Sequence, residues 1–146
     1  MNLYSSIELH AAPLPFRVIG EELQVCLPKE ALTLVKFRKL TFRRSFEAIA
    51  EQIAEEDLGL EGTAEFEIDR LQLTQSDSRK MTYILIFGVR VQAESEVTNK
   101  KFAWMTLEDA KAIHKEQVAE WLYILPIKVF PLKDTGDTML LASEES

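Results

Sequence analysis

The sequence predicts an α+β domain in which one β-sheet carries a helix on each face. Three stretches carry that expectation: an apolar run of strand length at 81–91, a helical repeat over Ser45–Leu60, and a capped helix start at Thr106 behind a short aromatic strand. In the long run, Tyr83, Leu85, Phe87 and Val89 fall on one side and Ile84 and Ile86 on the other. Both faces of this strand are therefore covered, which places it at the centre of the sheet.

The remaining elements follow in order. Leu3–Ala11 and Phe16–Ile19 are extended, Gly20-Glu21-Glu22 is a turn and Leu23–Leu27 is the returning strand. Pro13, Pro15 and Pro28 argue against any helix before Ser45. A short strand and a loop fill 31–42. Beyond Gly62, Phe66 and Ile68 alternate with charges while Leu71 and Leu73 take the opposite phase, so Glu65–Gln75 is a strand with a bend near Asp69–Arg70. Ser76-Asp77-Ser78 is a turn, and a polar loop at 94–101 leads to the strand Phe102–Met105. Thr106 and Asp109 form a capping box for a second helix running to about Leu122, with Ala110, Ile113, Val118 and Trp121 inward. Ile124–Leu132 holds Pro126 and Pro131, which fits an extended edge segment, either core filler or a strand that pairs with a protein partner or a second copy.

With 146 residues, 47% of them apolar, the chain suits one domain over 1–132 and a mobile tail over 133–146. A net charge of −7 argues against general nucleic-acid coating. No apolar run approaches the ~20 residues that span a bilayer, and the first fifteen residues lack the pattern of a secretory signal. With the single Cys26 unable to form an internal disulfide, these features point to the cytoplasm. Cys26 reads as a small buried side chain, and His10 and His114 are each isolated from other metal-ligating residues in sequence.

The helix at Ser45 holds the main local conflict. Ser45 is a good N-cap, Glu47 is an acid in the favourable first turn, Phe46, Ile49, Ala50 and Ile53 make the inner face, and Gly59 ends the helix. Yet Glu55, Glu56 and Asp57 crowd its last turn, where the helix dipole disfavours each carboxylate by roughly 0.3–1 kcal/mol. A wet helix end and a functional site both account for such a cluster.

This order of elements resembles the Nudix hydrolase family, whose fold is a mixed sheet sandwiched between helices. SFEAIAEQIAEEDLGL is similar to the end of the Nudix box, G-x5-E-x7-R-E-U-x-E-E-x-G-U with U apolar, and KKFAWMTLEDA is similar to the strand and helix start that follow the family's central strand. The likeness extends over roughly 15–122. Laid without gaps on Gly59 and Leu60, the box places its paired acids on Glu56 and Asp57, its Arg-Glu pair on Gln52 and Ile53, its earlier Glu on Arg44 and its opening Gly on Arg38. A one-residue slip instead brings Glu55 and Glu56 onto the paired acids and Gln52 onto the preceding Glu. In the family these acids hold divalent metal against a diphosphate and help activate water. The resemblance thus implies Glu56 and Asp57 as catalytic residues, with Glu55, Glu56 and Asp57 holding Mg²⁺ or Mn²⁺ if the domain is active. Ile53 removes one ligand outright, so the box is degenerate.

Ahead of the helix, Lys36, Arg38, Lys39, Arg43 and Arg44 put five cations in nine positions, where a family member would have glycines. Arg38, Arg43 and Arg44 are candidates to bind a nucleotide or other phosphate-bearing small molecule directly, since guanidinium groups donate paired hydrogen bonds to phosphate. The alternative is a solvated face pairing with the nine acids between Glu47 and Asp69. Phe37 and Phe42, interleaved with the cations, read as core or as stacking groups. Two functions remain open. One is a binding or interaction module that has lost standard metal-dependent hydrolysis. The other is an atypical pyrophosphohydrolase acting on nucleoside diphosphate derivatives, with a further acid such as Glu94 or Glu96 completing the metal site.

Overall fold

The computed structural model describes residues 6–30, 38–39, 44–75 and 80–131. Their strands are β1 (Ser6–Ile19), β2 (Glu22–Pro28), β3 (Arg38–Lys39), β4 (Gly62–Gln75), β5 (Lys80–Val91) and β6 (Phe102–Thr106), and their helices are α1 (Phe46–Leu58), α2 (Leu107–Ile113) and α3 (Gln117–Val129). The six strands form one mixed sheet of order β4-β5-β1-β2-β6, with β3 paired to β1. The expected α+β architecture is present. β5 has a strand on each edge and buried side chains on both faces, but the middle of the order is β1.

The two expected extended pieces at the start of the chain are one strand. β1 runs parallel to β5 from Ser6↔Lys80 to Phe16↔Arg90. On its other edge it meets β3 at His10 and Ala11 and β2 from Phe16 onward. Pro13 and Pro15 lie between those two pairings, where among the described residues no partner strand faces that edge. A missing N–H is tolerable there, so the prolines do not divide the strand.

Alternation along β1 and β5 divides the core in two. Ala12, Leu14, Ile84 and Ile86 face α2 and α3, with Trp121, Leu122 and Leu125 above them. Ala11, Phe87, Val89 and Val91 face α1 through Ile49, Ala50, Ile53, Ala54 and Leu58. In β4 the register shifts between Ala64 and Phe66 and again between Glu67 and Asp69, just ahead of the bend expected at Asp69–Arg70. Gly88 is needed opposite this irregularity, because a Cβ there would run into the Phe66 ring.

Two expectations fail at the C-terminal end. The helix opened by Thr106, whose hydroxyl accepts from the Asp109 N–H at 3.1 Å, stops at Ile113 instead of reaching Leu122. His114 turns extended, with its buried ring donating from Nε2 to the Pro28 carbonyl at 2.9 Å. Glu116 then takes φ 61°, which sets α3 on a new axis. Residues 124–129 are helical, not an extended edge segment. Pro126 stands inside α3, where it cannot donate to the Leu122 carbonyl, but its own carbonyl still accepts from the Phe130 N–H at 2.8 Å. The inner face is otherwise as expected, with Ala110 and Trp121 buried and Ile113 and Val118 packed against the core. Cys26 is buried beside Arg17, and burial pushes its thiol up to about 12, the state of an inert core side chain.

Candidate functional site

α1 places the acids through ordinary local rules. The Ser45 hydroxyl accepts from the Ala48 N–H at 3.0 Å, and Gly59 takes φ 75° to close the last turn. A Cβ at Gly59 would lie 2.5 Å from the Thr98 hydroxyl, so both conformation and contact demand glycine. The buried stripe Ile49, Ala50, Ile53, Ala54 and Leu58 leaves Glu51, Gln52, Glu55, Glu56 and Asp57 toward solvent.

The conflict at the helix end is offset by two sets of partners. Carbonyls of the last turn are occupied: Thr98 donates to Leu58 O from its N–H at 2.9 Å and its hydroxyl at 3.2 Å, and the Asn99 amide donates to Asp57 O at 3.1 Å. The cation is Arg38. Its Nη1 lies 2.9 Å from Glu56 Oε1 and its Nη2 3.4 Å from Asp57 Oδ1, so one guanidinium spans both acids. Gln52 donates to the second oxygen of Glu56 at 2.9 Å, and Arg44 donates to Gln52 in turn. The Gln52 hydrogen bond first, and then Arg38, hold the Glu56 carboxyl below the usual glutamate range.

Of the three arginines expected at an anion, Arg38 therefore sits on the helix acids and Arg44 on Gln52, while Arg43 lies outside the described residues, as do Lys36, Phe37 and Phe42. Glu55 is exposed at the mouth of a cleft of about 460 Å³, which is lined also by Arg44, Glu51, Gln52, Glu56 and Glu61. Glu51 is anchored by accepting from the Ala64 N–H at 2.8 Å. Ile53, where the ungapped box has a metal-ligating glutamate, has none of its surface exposed. Among the described residues, no three His, Cys, Asp or Glu side chains are grouped to hold a metal ion. Glu94 and Glu96 lie on the loop after β5, and the charge of Glu96 acts on Arg17.

Sequence reasoning missed the part played by that loop. Arg17 donates to Ala93 O at 2.9 Å and Ser95 O at 2.8 Å and stacks 4.2 Å from the Trp104 ring centre, while Trp104 Nε1 also donates to Ser95 O. The loop is thereby fastened to β1 and β6 before Thr98 and Asn99 reach α1. Its polar composition marked it as a loop and contained no signal for these partners.

No family model and no curated protein matches this sequence. Solved structures do match. A Caenorhabditis elegans Ap4A hydrolase, solved as a binary complex, is similar with a TM-score of 0.65 at 12% identity over 84% of this chain and 97% of the other. A MutT protein from Methanosarcina mazei gives 0.57 at 10% identity over 86% and 96%. The Nudix domain of Shewanella oneidensis NrtR, solved with ADP-ribose, gives 0.51 at 12% identity over 72% and 76%. At such identities the likeness concerns the fold, and the fold is Nudix-like. No helix of the described residues is long and apolar enough to cross a membrane.

Proposed function

We propose that this Nudix-like domain is a binding module for a nucleotide or other phosphate-bearing small molecule and has lost standard metal-dependent hydrolysis. The observation that carries this reading is the Arg38 guanidinium spanning Glu56 and Asp57. In the resemblance these acids face a divalent ion; here they face a cation supplied by the chain, which competes with metal for the same oxygens. The buried Ile53 supports the same reading, because a ligand at that position would have no route to solvent. Complexes such as that of the Nudix domain with ADP-ribose make a phosphate-bearing ligand a natural occupant of the fold.

The test is hydrolysis of ADP-ribose, diadenosine tetraphosphate and nucleoside diphosphates at millimolar Mg²⁺ or Mn²⁺, followed by chromatography of the nucleotide products, alongside thermal shifts with the same compounds. Ligand-dependent stabilisation without turnover is expected, since a ligand that binds only the folded state raises its apparent stability. Robust turnover abolished by Glu56→Gln would refute the module. The second reading, an atypical pyrophosphohydrolase, draws on the open cleft lined by Glu51, Glu55, Glu56 and Glu61, where substrate phosphates would have to complete any Mg²⁺ site with these carboxylates. In that case the metal would polarise phosphate and lower the pKa of the attacking water.

A further inference from the structure

A second cleft, of about 380 Å³, is lined by Pro28, Lys29, Glu30, Lys100 and Lys101. It gathers three cations in a chain of net charge −7. The acidic cleft on α1 has the opposite balance, four glutamates against Arg44. The lysines are also available. Arg38 is spent on Glu56 and Asp57, Arg90 on Glu65 and Arg70 on Glu67, whereas the ammonium groups of Lys29, Lys100 and Lys101 make no ion pair with any described residue.

The backbone around them is fixed. The Lys29 N–H donates to Lys101 O at 2.8 Å, the Lys101 N–H donates to the Asn99 side chain at 3.0 Å, and the Phe102 N–H donates to Asn99 O at 3.0 Å. Beneath them the buried His114 ring holds the Pro28 carbonyl. Asn99 is shared with the acid site, because its amide also donates to Asp57 O. A ligand drawing on Lys100 and Lys101 would thus sit one residue from the contact that closes α1.

From this geometry we infer that the Lys29–Lys100–Lys101 cleft is the phosphate anchor of the domain, taking a small phosphorylated compound that carries a hydroxyl or amine beside its phosphate. Three like charges left together in one cleft repel each other, and a dianionic phosphate relieves that cost while accepting several charge-assisted hydrogen bonds. Glu30 sets the rest of the ligand. A carboxylate in the lining disfavours a bare anion and favours a hydrogen-bond donor next to it, as on a sugar phosphate or nucleotide. The volume falls in the range of small-molecule sites and suits a phosphate with one attached ring.

This assignment rests on the binding-module reading, and the experiment separates the two. Inorganic phosphate, AMP and adenosine are titrated into the full chain by calorimetry and by amide NMR. AMP is expected to bind more tightly than phosphate, and adenosine to bind weakly, with shifts at the Lys29 and Lys101 amides. The double variant Lys100→Gln, Lys101→Gln is expected to weaken AMP about ten-fold, the scale of one lost charge-assisted hydrogen bond, and by more than Arg44→Gln does. All three lysines are exposed, so circular dichroism should show an unaltered fold. AMP affinity lost in Arg44→Gln and kept in the lysine variant would overturn the lysine anchor and leave the module standing. No response to any phosphate probe at millimolar concentration would overturn both.

Discussion

The two faces of the sheet are built differently. Under α1, the packing residues are small or branched, Ile49, Ala50, Ile53, Ala54 and Leu58, and the outward side of the helix is polar throughout its middle and end. Under α3, the packing residues include Trp121, Leu122 and Leu125, while Tyr123, Ile127 and Phe130 are exposed on its outer side. One helix separates polar from apolar and carries charged chemistry; the other is apolar nearly all round. The difference explains why the Nudix-like acids have a place on α1 only, and why α1 shows a helical repeat in sequence where the end of α3 does not.

The largest effect expected from disturbing this contrast comes from restoring the box glutamate. Ile53→Glu would put a carboxylate into the buried cluster that includes Ile49, Phe87 and Val89, and is expected to cost about 3–5 kcal/mol in denaturant unfolding without producing hydrolysis. A soluble, stable variant with new turnover would show that α1 can rotate its acids into a metal site. On the other face, Leu122→Ala is expected to cost about 2–5 kcal/mol with no change in ligand binding.

Trp121→Phe tests a polar link on the α3 side. Trp121 Nε1 donates to Asp69 Oδ2 at 2.7 Å, so the variant is expected to lose about 1.5–3 kcal/mol, the range for a hydrogen bond to a charged group. Asn99→Ala removes the amide from Asp57 O and should cost about 0.5–1.5 kcal/mol in the same unfolding measurement. A neutral result would mean that water caps α1 equally well.

The smallest change in stability is expected at the acids themselves. Arg38 and Glu56 are both substantially solvent-exposed, so Arg38→Gln should leave the unfolding midpoint nearly unchanged. The readout is the Glu56 titration followed by carboxyl NMR. Its folded pKa lies below that of an ordinary glutamate, so the ionised contacts stabilise the fold above the unfolded pKa, and that contribution is lost as pH falls through the folded value. Arg38→Gln and Gln52→Ala should each move the titration upward, because each removes a group that favours the ionised Glu56 carboxyl. An unmoved titration in both variants would refute this attribution.

Local chemistry was enough for α1. A hydroxyl at Ser45, a glycine at 59 and apolar residues at helical spacing act over a few residues, and the helix occupies the expected stretch. The alternating faces of β5 were legible for the same reason, since a period of two reports burial on both sides. The last helix was not. An apolar run with two prolines satisfies an edge strand and a buried helix equally, and the choice came from Glu116 and His114 turning the chain so that Trp121, Leu122 and Leu125 cover the sheet.

By itself, then, the sequence determined the α+β order of elements, the helix on each side of the sheet and the crowding of acids at the end of α1. It also showed that a cation-rich segment precedes them. Only the tertiary structure decided that Arg38 meets Glu56, 18 residues away in the chain, and that Lys29 shares a cleft with Lys100 and Lys101. Caps and periodicity are set by neighbours within one or two turns, whereas the pairing of charges depends on which strands lie side by side. Here β3 against β1 carries Arg38, and β2 against β6 carries the lysine cleft.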